Sequence, residues 1–118
     1  MYELKIHKNF NTEKWAKFAT EKQIFMIANE VQRLLTCIKN DIGFETQRER
    51  IECALELADL TASVQRGNFQ HEFLRWRELF GGLYLLNKDE LASSEFRVNG
   101  FLRTLLQMNS KSILILKT

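Results

Sequence analysis

The chain has 118 residues, of which 45% are hydrophobic and 27% charged, and its formal net charge is +2. This length is sufficient for one domain with a packed core, and the composition excludes a disordered tail. Proline is absent and glycine occurs only five times, whereas sandwiches and barrels need both residues at their many turns. We therefore expect a single all-α domain over residues 1–118.

The first predicted helix covers about residues 12–40. Asn11 or Thr12 can cap its start, and apolar residues then recur mostly three or four positions apart. Within it, Thr20-Glu-Lys-Gln23 has the pattern of a capping box, in which a side chain bonds the first free amides of a helix. A break near Thr20 is therefore an alternative to one continuous helix.

The second predicted helix covers about residues 46–66. Gly43 is in a position to end the preceding helix, and Thr46-Gln-Arg-Glu49 is a second capping box. Two adjacent apolar stripes follow, which indicates a central helix that touches more than one neighbour. Arg66 and Gly67 end it with a basic residue and a glycine cap.

The third predicted helix covers about residues 69–86 and has the clearest periodicity in the chain. Its apolar stripe consists of Phe69, Phe73, Trp76, Phe80 and Leu83. Because Trp76 lies on this stripe, we interpret it as a core residue, with a protein interface and a base-stacking platform as alternatives. Gly81 and Gly82 fall within the stripe and lack the pattern of a phosphate loop. They predict close approach of a neighbouring helix.

The fourth predicted helix covers about residues 88–109, behind a cap at Asn87-Lys-Asp-Glu90. The four helices, joined by short connections, predict an antiparallel four-helix bundle. Residues 2–6 alternate between apolar and polar, and Ser112–Lys117 is apolar and β-prone. These ends could pair as strands, within one chain or between subunits, and a longer last helix is the alternative for the second segment.

The cysteines and the first residues bear on the compartment. Cys37 and Cys53 lie in apolar helical patterns without neighbouring metal ligands, so free buried thiols are expected, with a disulfide or a reactive site as alternatives. The first ten residues lack the apolar core of a signal peptide, and no apolar run reaches a membrane span. We expect a cytoplasmic protein that does not use a membrane.

The sequence contains no recognisable set of catalytic, metal-binding or cofactor-binding residues. Glu49, Glu52 and Glu56 are spaced like a solvated helix face, and the Glu-x-x-His pairs of di-metal sites are missing. Arg66 and His71 have the R-x4-H spacing that resembles HEPN-type ribonucleases, all-α enzymes that cut RNA. In those families the R-x4-H motif lies within a helix, and a polar residue follows the arginine. Here Gly67 follows, so this enzyme is retained only as an alternative.

Basic residues are the remaining functional signal. From residue 66 to the end there are eight basic residues against five acidic ones. A basic face binds phosphates weakly and in a salt-dependent manner, and a ring of subunits multiplies that binding.

Three segments resemble a family of small four-helix-bundle proteins. They are ETQRERIECALELADLTASVQRG, FLRWRELFGGLYLLNKDELAS and EFRVNGFLRTLLQM. The family includes the accessory variability determinants of diversity-generating retroelements and the proteins encoded in intervening sequences of large-subunit ribosomal RNA. The resemblance covers about residues 13–110, in helix length, turn placement and apolar pattern.

This resemblance implies a homo-oligomer, namely a pentamer, and a non-enzymatic accessory role. In the retroelement branch the partners are a reverse transcriptase and its template RNA, so RNA or DNA and such an enzyme are the partners it implies here. The candidate nucleic-acid-binding residues are Arg48, Arg50, Arg75, Arg77, Arg97 and Arg103. A protein interaction module that binds no nucleic acid is the further alternative.

Overall fold

In a computed structural model, the backbone is described for residues 11–117 and the side chains for residues 11–109. Every regular element within this part of the chain is helical, which confirms the expected all-α class. The α-helices are α1 (Thr12–Ala16), α2 (Thr20–Lys39), α3 (Phe44–Val64), α4 (Gly67–Gly81), α5 (Lys88–Ala92) and α6 (Glu95–Lys117), with a 3-10 turn (Gly82–Leu85) after α4.

The first predicted helix is divided into α1 and α2, and the capping box predicted at Thr20 does not form. No side-chain hydrogen bond caps the start of α2. Instead, the side-chain nitrogen Nε2 of Gln23 donates to the backbone carbonyls of Trp15 and Phe18, at 3.1 and 3.0 Å. Trp15 lies in the last turn of α1 and Phe18 just beyond it, so Gln23 ties the end of α1 to the start of α2.

The turn between α2 and α3 also differs from the expectation. Asp41, not Gly43, adopts the left-handed conformation that ends α2, with φ 53°. The amide of Ile42 then donates to the carbonyl of Cys37 at 2.9 Å, which closes the last helical turn. Gly43 is the residue before α3, so the capping box predicted at Thr46 lies inside the helix, where it has no free amides to bond.

Contacts between distant residues show that neighbouring helices run antiparallel. The side chain of Gln65, just after α3, donates to that of Gln23 near the start of α2, at 3.2 Å. The end of α2 meets the start of α6, where Lys39 lies 3.9 Å from Glu95. The helices α3 and α6 therefore both pack against α2, whose buried side chains form much of the core.

An aromatic column on α4 fills the other side of the core. The rings of Phe69, Phe73, Trp76 and Phe80 stack in sequence, with centroid distances of 6.0, 5.7 and 5.0 Å. Phe101 of α6 packs edge-on against Trp76 and Phe80. The indole nitrogen of Trp76 donates to the carbonyl of Phe101 at 3.0 Å, and only 3% of Trp76 is exposed. The core interpretation of Trp76 is confirmed.

The two glycines after this column do not make the predicted close contact between helix backbones. A Cβ at Gly81 would lie 3.8 Å from the Leu55 side chain and 3.1 Å from Nη1 of Arg77, and a Cβ at Gly82 would meet nothing within 4 Å. The third predicted helix stops at Gly81 and tightens into the 3-10 turn. Glycine favours this ending because it is a poor helix former.

The fourth predicted helix is likewise two helices. Its capping box is confirmed, since Oδ1 of Asn87 accepts from the Glu90 amide at 2.8 Å and Oε1 of Glu90 accepts from the Asn87 amide at 3.0 Å. It caps only the short α5, and α6 then continues to Lys117. The strand predicted at Ser112–Lys117 is therefore wrong, because extending an existing helix gains one hydrogen bond per residue without a new nucleus. The strand predicted over residues 2–6 lies outside the described residues.

Two further expectations concern the cysteines and the membrane. Cys37 and Cys53 are both free and buried, as predicted. Burial, followed by the nearby carboxylate of Glu30, raises the pKa of the Cys53 thiol. Among the described residues, no helix combines the length and the apolar character that crossing a bilayer requires.

Candidate nucleic-acid interface

The six candidate arginines do not form one surface. Arg48 and Arg50 lie on α3, Arg75 and Arg77 on α4, and Arg97 and Arg103 on α6. Residues two apart on a helix are separated by about 200°, so each of the first two pairs points to opposite sides of its helix.

Arg77 is held by an acidic residue of the neighbouring helix. Its Nε donates to Oδ1 of Asp59 at 2.7 Å and its Nη2 donates to Oδ2 at 3.3 Å. Both side chains are about one-third exposed. This two-point pairing orients the guanidinium and neutralises much of its charge, so Arg77 joins α4 to α3 instead of facing outward.

Arg48 lies against an aromatic ring. Its guanidinium carbon is 4.2 Å from the centre of the Tyr84 ring, a cation–π distance. The Tyr84 hydroxyl donates to Oε1 of Glu52 at 2.5 Å. That hydrogen bond raises the pKa of Tyr84, because a phenolate beside a carboxylate is disfavoured.

The surface around Arg48 is acidic. A cleft of about 350 Å³ opens here, lined by Glu45, Thr46, Arg48, Glu49, Glu52 and Tyr84. Three carboxylates face one guanidinium in this lining, and their negative charge repels phosphates. Arg48 is thus placed in a field that opposes nucleic-acid binding.

Arg50 faces the other side of α3. It is half-buried and close enough to Cys53 to lower the pKa of that thiol, against the larger effect of burial. It lies about 200° around α3 from Arg48, so the two arginines do not share a surface.

Arg75 and Arg97 border the line along which α4 and α6 meet. Arg75 lies about 200° around α4 from Arg77, so it points away from α3. It directly precedes Trp76, whose indole bonds α6 at Phe101. Arg97 lies one turn before Phe101 on the same side of α6. Both arginines are exposed, and we call this line the α4–α6 seam.

Arg103 is exposed on the outer surface of α6. After Glu95, α6 contains no acidic residue and carries Arg97, Arg103, Lys111 and Lys117. Among the described residues, no carboxylate lies within 4.0 Å of the guanidinium groups of Arg75, Arg97 or Arg103. These three arginines therefore keep their charge available to a ligand.

The residues of the alternative ribonuclease site are not brought together. Arg66 precedes α4 and donates from Nη1 to the carbonyls of Ser63 and Gln65, at 3.1 and 2.8 Å. These acceptors lie at the end of α3, so Arg66 caps that helix. His71 is exposed within α4, and no hydrogen bond of the described chain joins it to Arg66.

The acidic residues of α3 correct one expectation. Glu49 is exposed, but Glu56 is only 6% exposed and Glu52 is engaged with Tyr84, so the three do not form one solvated face. Helix α3 packs on α1, α2 and α4, which covers more of its circumference than the charge pattern suggested. Within the described residues, no group of three His, Cys, Asp or Glu side chains is arranged to hold a metal ion.

The structure also exposes two large apolar side chains that the sequence analysis passed over. Phe96, in the first turn of α6, and Leu85, in the 3-10 turn, are each 85% exposed. Helical spacing would have found Phe96, since it lies about 200° from the buried Val98.

Neither a family model nor a curated protein nor a solved structure matches this chain.

Proposed function

We propose that the protein is a non-enzymatic, oligomeric accessory protein that binds nucleic acid, an enzyme acting on nucleic acid such as a reverse transcriptase, or both. The observation that carries this proposal is that Arg75, Arg97 and Arg103 are exposed on α4 and α6 and form no ion pair with any residue that the structure describes. The resemblance to retroelement accessory proteins supports the same reading.

Exposed arginines that form no ion pair with a described carboxylate are suited to phosphates. A guanidinium group bonds two phosphate oxygens at once, and each contact releases counterions from the nucleic acid. Paired arginines such as Arg77 must first give up a carboxylate. The proposed contacts therefore come from α6 and from the seam, and not from α3.

Assembly of several copies would strengthen this binding. We propose that α2, α3, α4 and α6 form a four-helix bundle that associates with further copies, five by the resemblance. Exposed apolar side chains on two of these helices, Phe25 at 53% and Leu79 at 59%, are candidates for contacts between copies. In a ring, weak phosphate contacts of each copy add up to tight binding.

Two measurements on the purified protein test the proposal. Light scattering should give a mass several times the 13.9 kDa of one chain. Fluorescence anisotropy with labelled RNA should show binding that weakens steeply as salt is raised. Replacing Arg75, Arg97 and Arg103 by Glu should abolish RNA binding. The control Lys88→Ala, which removes an exposed basic residue of α5, should leave RNA binding almost unchanged.

Three outcomes would contradict the proposal. A monomer without salt-dependent RNA binding would remove both of its parts. RNA cleavage by the wild type that disappears in His71→Ala would show an enzyme. A protein partner that is retained after nuclease treatment and high salt, in a protein that binds no RNA, would indicate a protein interaction module instead.

A further inference from the structure

Phe96 is an aromatic side chain presented almost wholly to solvent. It is 85% exposed, whereas Val98, two residues later on α6, is fully buried. The ring therefore lies on the outward side of the helix, remote from the aromatic column of α4. A single exposed apolar residue is common on protein surfaces, so the case for a role of Phe96 depends on the groups around it.

The surface next to Phe96 is open and basic. Gly100, one turn further along the same side of α6, has nothing within 4 Å of the position of a Cβ, which leaves a flat area beside the ring. Arg103 follows two turns from Phe96, about 10 Å away along the axis and only about 20° around it. Arg97 is adjacent to the ring in sequence.

The acidic residue nearest in sequence is already engaged elsewhere. Glu95 lies 3.9 Å from Lys39 at the end of α2. The other residues of α6 that share its outer surface, Asn99 and Gln107, are polar and uncharged. Beyond Glu95, every charged residue of α6 is basic.

We infer that the outer face of α6 binds single-stranded nucleic acid, with one base stacked on Phe96 and the neighbouring phosphates on Arg97 and Arg103. This inference rests on the proposed function and specifies its substrate. Proteins that bind single strands combine aromatic platforms with a basic track. A duplex keeps its bases stacked inside and offers no free base face to Phe96, so the site selects single strands.

Leu85 provides the contrast within the same molecule. It is exposed to the same degree as Phe96, but it has no π face and lies beside the acidic start of α5, with Asp89 and Glu90 in its first turn. A general apolar docking surface would use both residues. A base-stacking site uses Phe96 alone.

The test measures affinity by fluorescence anisotropy with labelled uridine and thymidine homopolymers and with a duplex of equal length. Each probe has about 16 nucleotides, the upper site size for single-strand binding folds. Wild type should bind the single strands at least about tenfold more tightly than the duplex. Phe96→Ala should weaken single-strand binding by about 5-fold to 150-fold, Phe96→Leu should resemble it, and Phe96→Trp should retain affinity.

Leu85→Ala is the matched control and should bind like the wild type. Phe96→Trp adds a direct readout, because the native Trp15 and Trp76 are buried and quenching on binding then reports the new indole. Helical circular dichroism checks that each variant is folded.

Three results would overturn the inference. If Phe96→Ala binds like the wild type while Arg97→Ala and Arg103→Ala weaken binding, stacking is excluded and the proposed function stands. Equal affinity for duplex and single strand would also exclude selection of single strands and leave the proposed function standing. If the wild type binds neither in a salt-dependent manner, the inference fails together with the nucleic-acid binding in the proposed function.

Discussion

At the scale of single residues, Asp41 shows how a local choice defines a turn. It is the only non-glycine residue with positive φ in the described part of the chain, and the amides after it close the end of α2. Aspartate tolerates this conformation better than most side chains, and glycine adopts it without steric cost. The sequence pointed to Gly43 as the residue that ends the first helix, but which residue adopts this conformation depends on where α2 ends.

Asp41→Gly should therefore stabilise the protein by about 0.5 to 1 kcal/mol, after the greater chain freedom of glycine in the unfolded state is counted. Asp41→Ala should destabilise it, because a Cβ without a compensating polar group remains in the strained region. Thermal unfolding checks both variants. A lower midpoint for Asp41→Gly would contradict the assignment of strain to this residue.

The hydrogen bond of Tyr84 predicts how the stability of the protein depends on pH. Its pKa is raised by its hydrogen bond to Glu52, so the neutral phenol is favoured in the folded protein. The stabilisation from this bond is fully present below the unfolded pKa of about 10 and is lost as pH rises through the higher folded value. An absorbance titration of phenolate should show one tyrosine that ionises late.

Glu52→Gln removes the negative charge and should lower the pKa of Tyr84 towards its ordinary value. Tyr84→Phe identifies the group, because the late transition should disappear in that variant. An unchanged titration of Tyr84 in Glu52→Gln would mean that the hydrogen bond does not cause the shift.

At the scale of elements, local patterns predicted what local contacts determine. The capping box at Asn87 and the aromatic column of α4 depend on residues three or four apart, and both are present. The capping box at Thr20 failed for a tertiary reason. The hydroxyl of Thr20 bonds Gln65, which lies 45 residues further along the chain, and a sequence pattern does not contain that contact.

The end of α4 gives a matched pair of substitutions. Gly82 has helical dihedral angles and open space at its Cβ position, so Gly82→Ala should stabilise the protein by about 1 kcal/mol. Gly81→Ala should gain less, because its Cβ would lie 3.1 Å from Nη1 of Arg77 and disturb the pair with Asp59. Thermal unfolding of both variants measures the difference, and a larger gain for Gly81→Ala would contradict this account.

At the scale of the whole molecule, the candidate surface could be predicted only in part. Helical periodicity places Arg75 away from the aromatic stripe, and the sequence shows that α6 is poor in acids. The pairing of Arg77 with Asp59 and the stacking of Arg48 on Tyr84 join residues 18 and 36 positions apart. Such contacts depend on how the helices pack, which the sequence pattern alone does not specify.

The division of the arginines is consequently a property of the assembled fold. Arg77 is paired with Asp59, Arg48 lies over Tyr84 and Arg50 is half-buried, whereas Arg75, Arg97 and Arg103 are exposed on α4 and α6. This division, more than the net charge of +2, supports binding of nucleic acid at one side of the molecule.

The salt dependence of single-strand binding tests this central claim most directly. Removing three phosphate contacts from a single-stranded complex should reduce the slope of log K against log salt concentration by about 2. We therefore expect the variant Arg75→Ala, Arg97→Ala, Arg103→Ala to show that reduction relative to the wild type, with Lys88→Ala unchanged. A triple variant with the slope and affinity of the wild type would contradict the claim that these arginines form the binding surface.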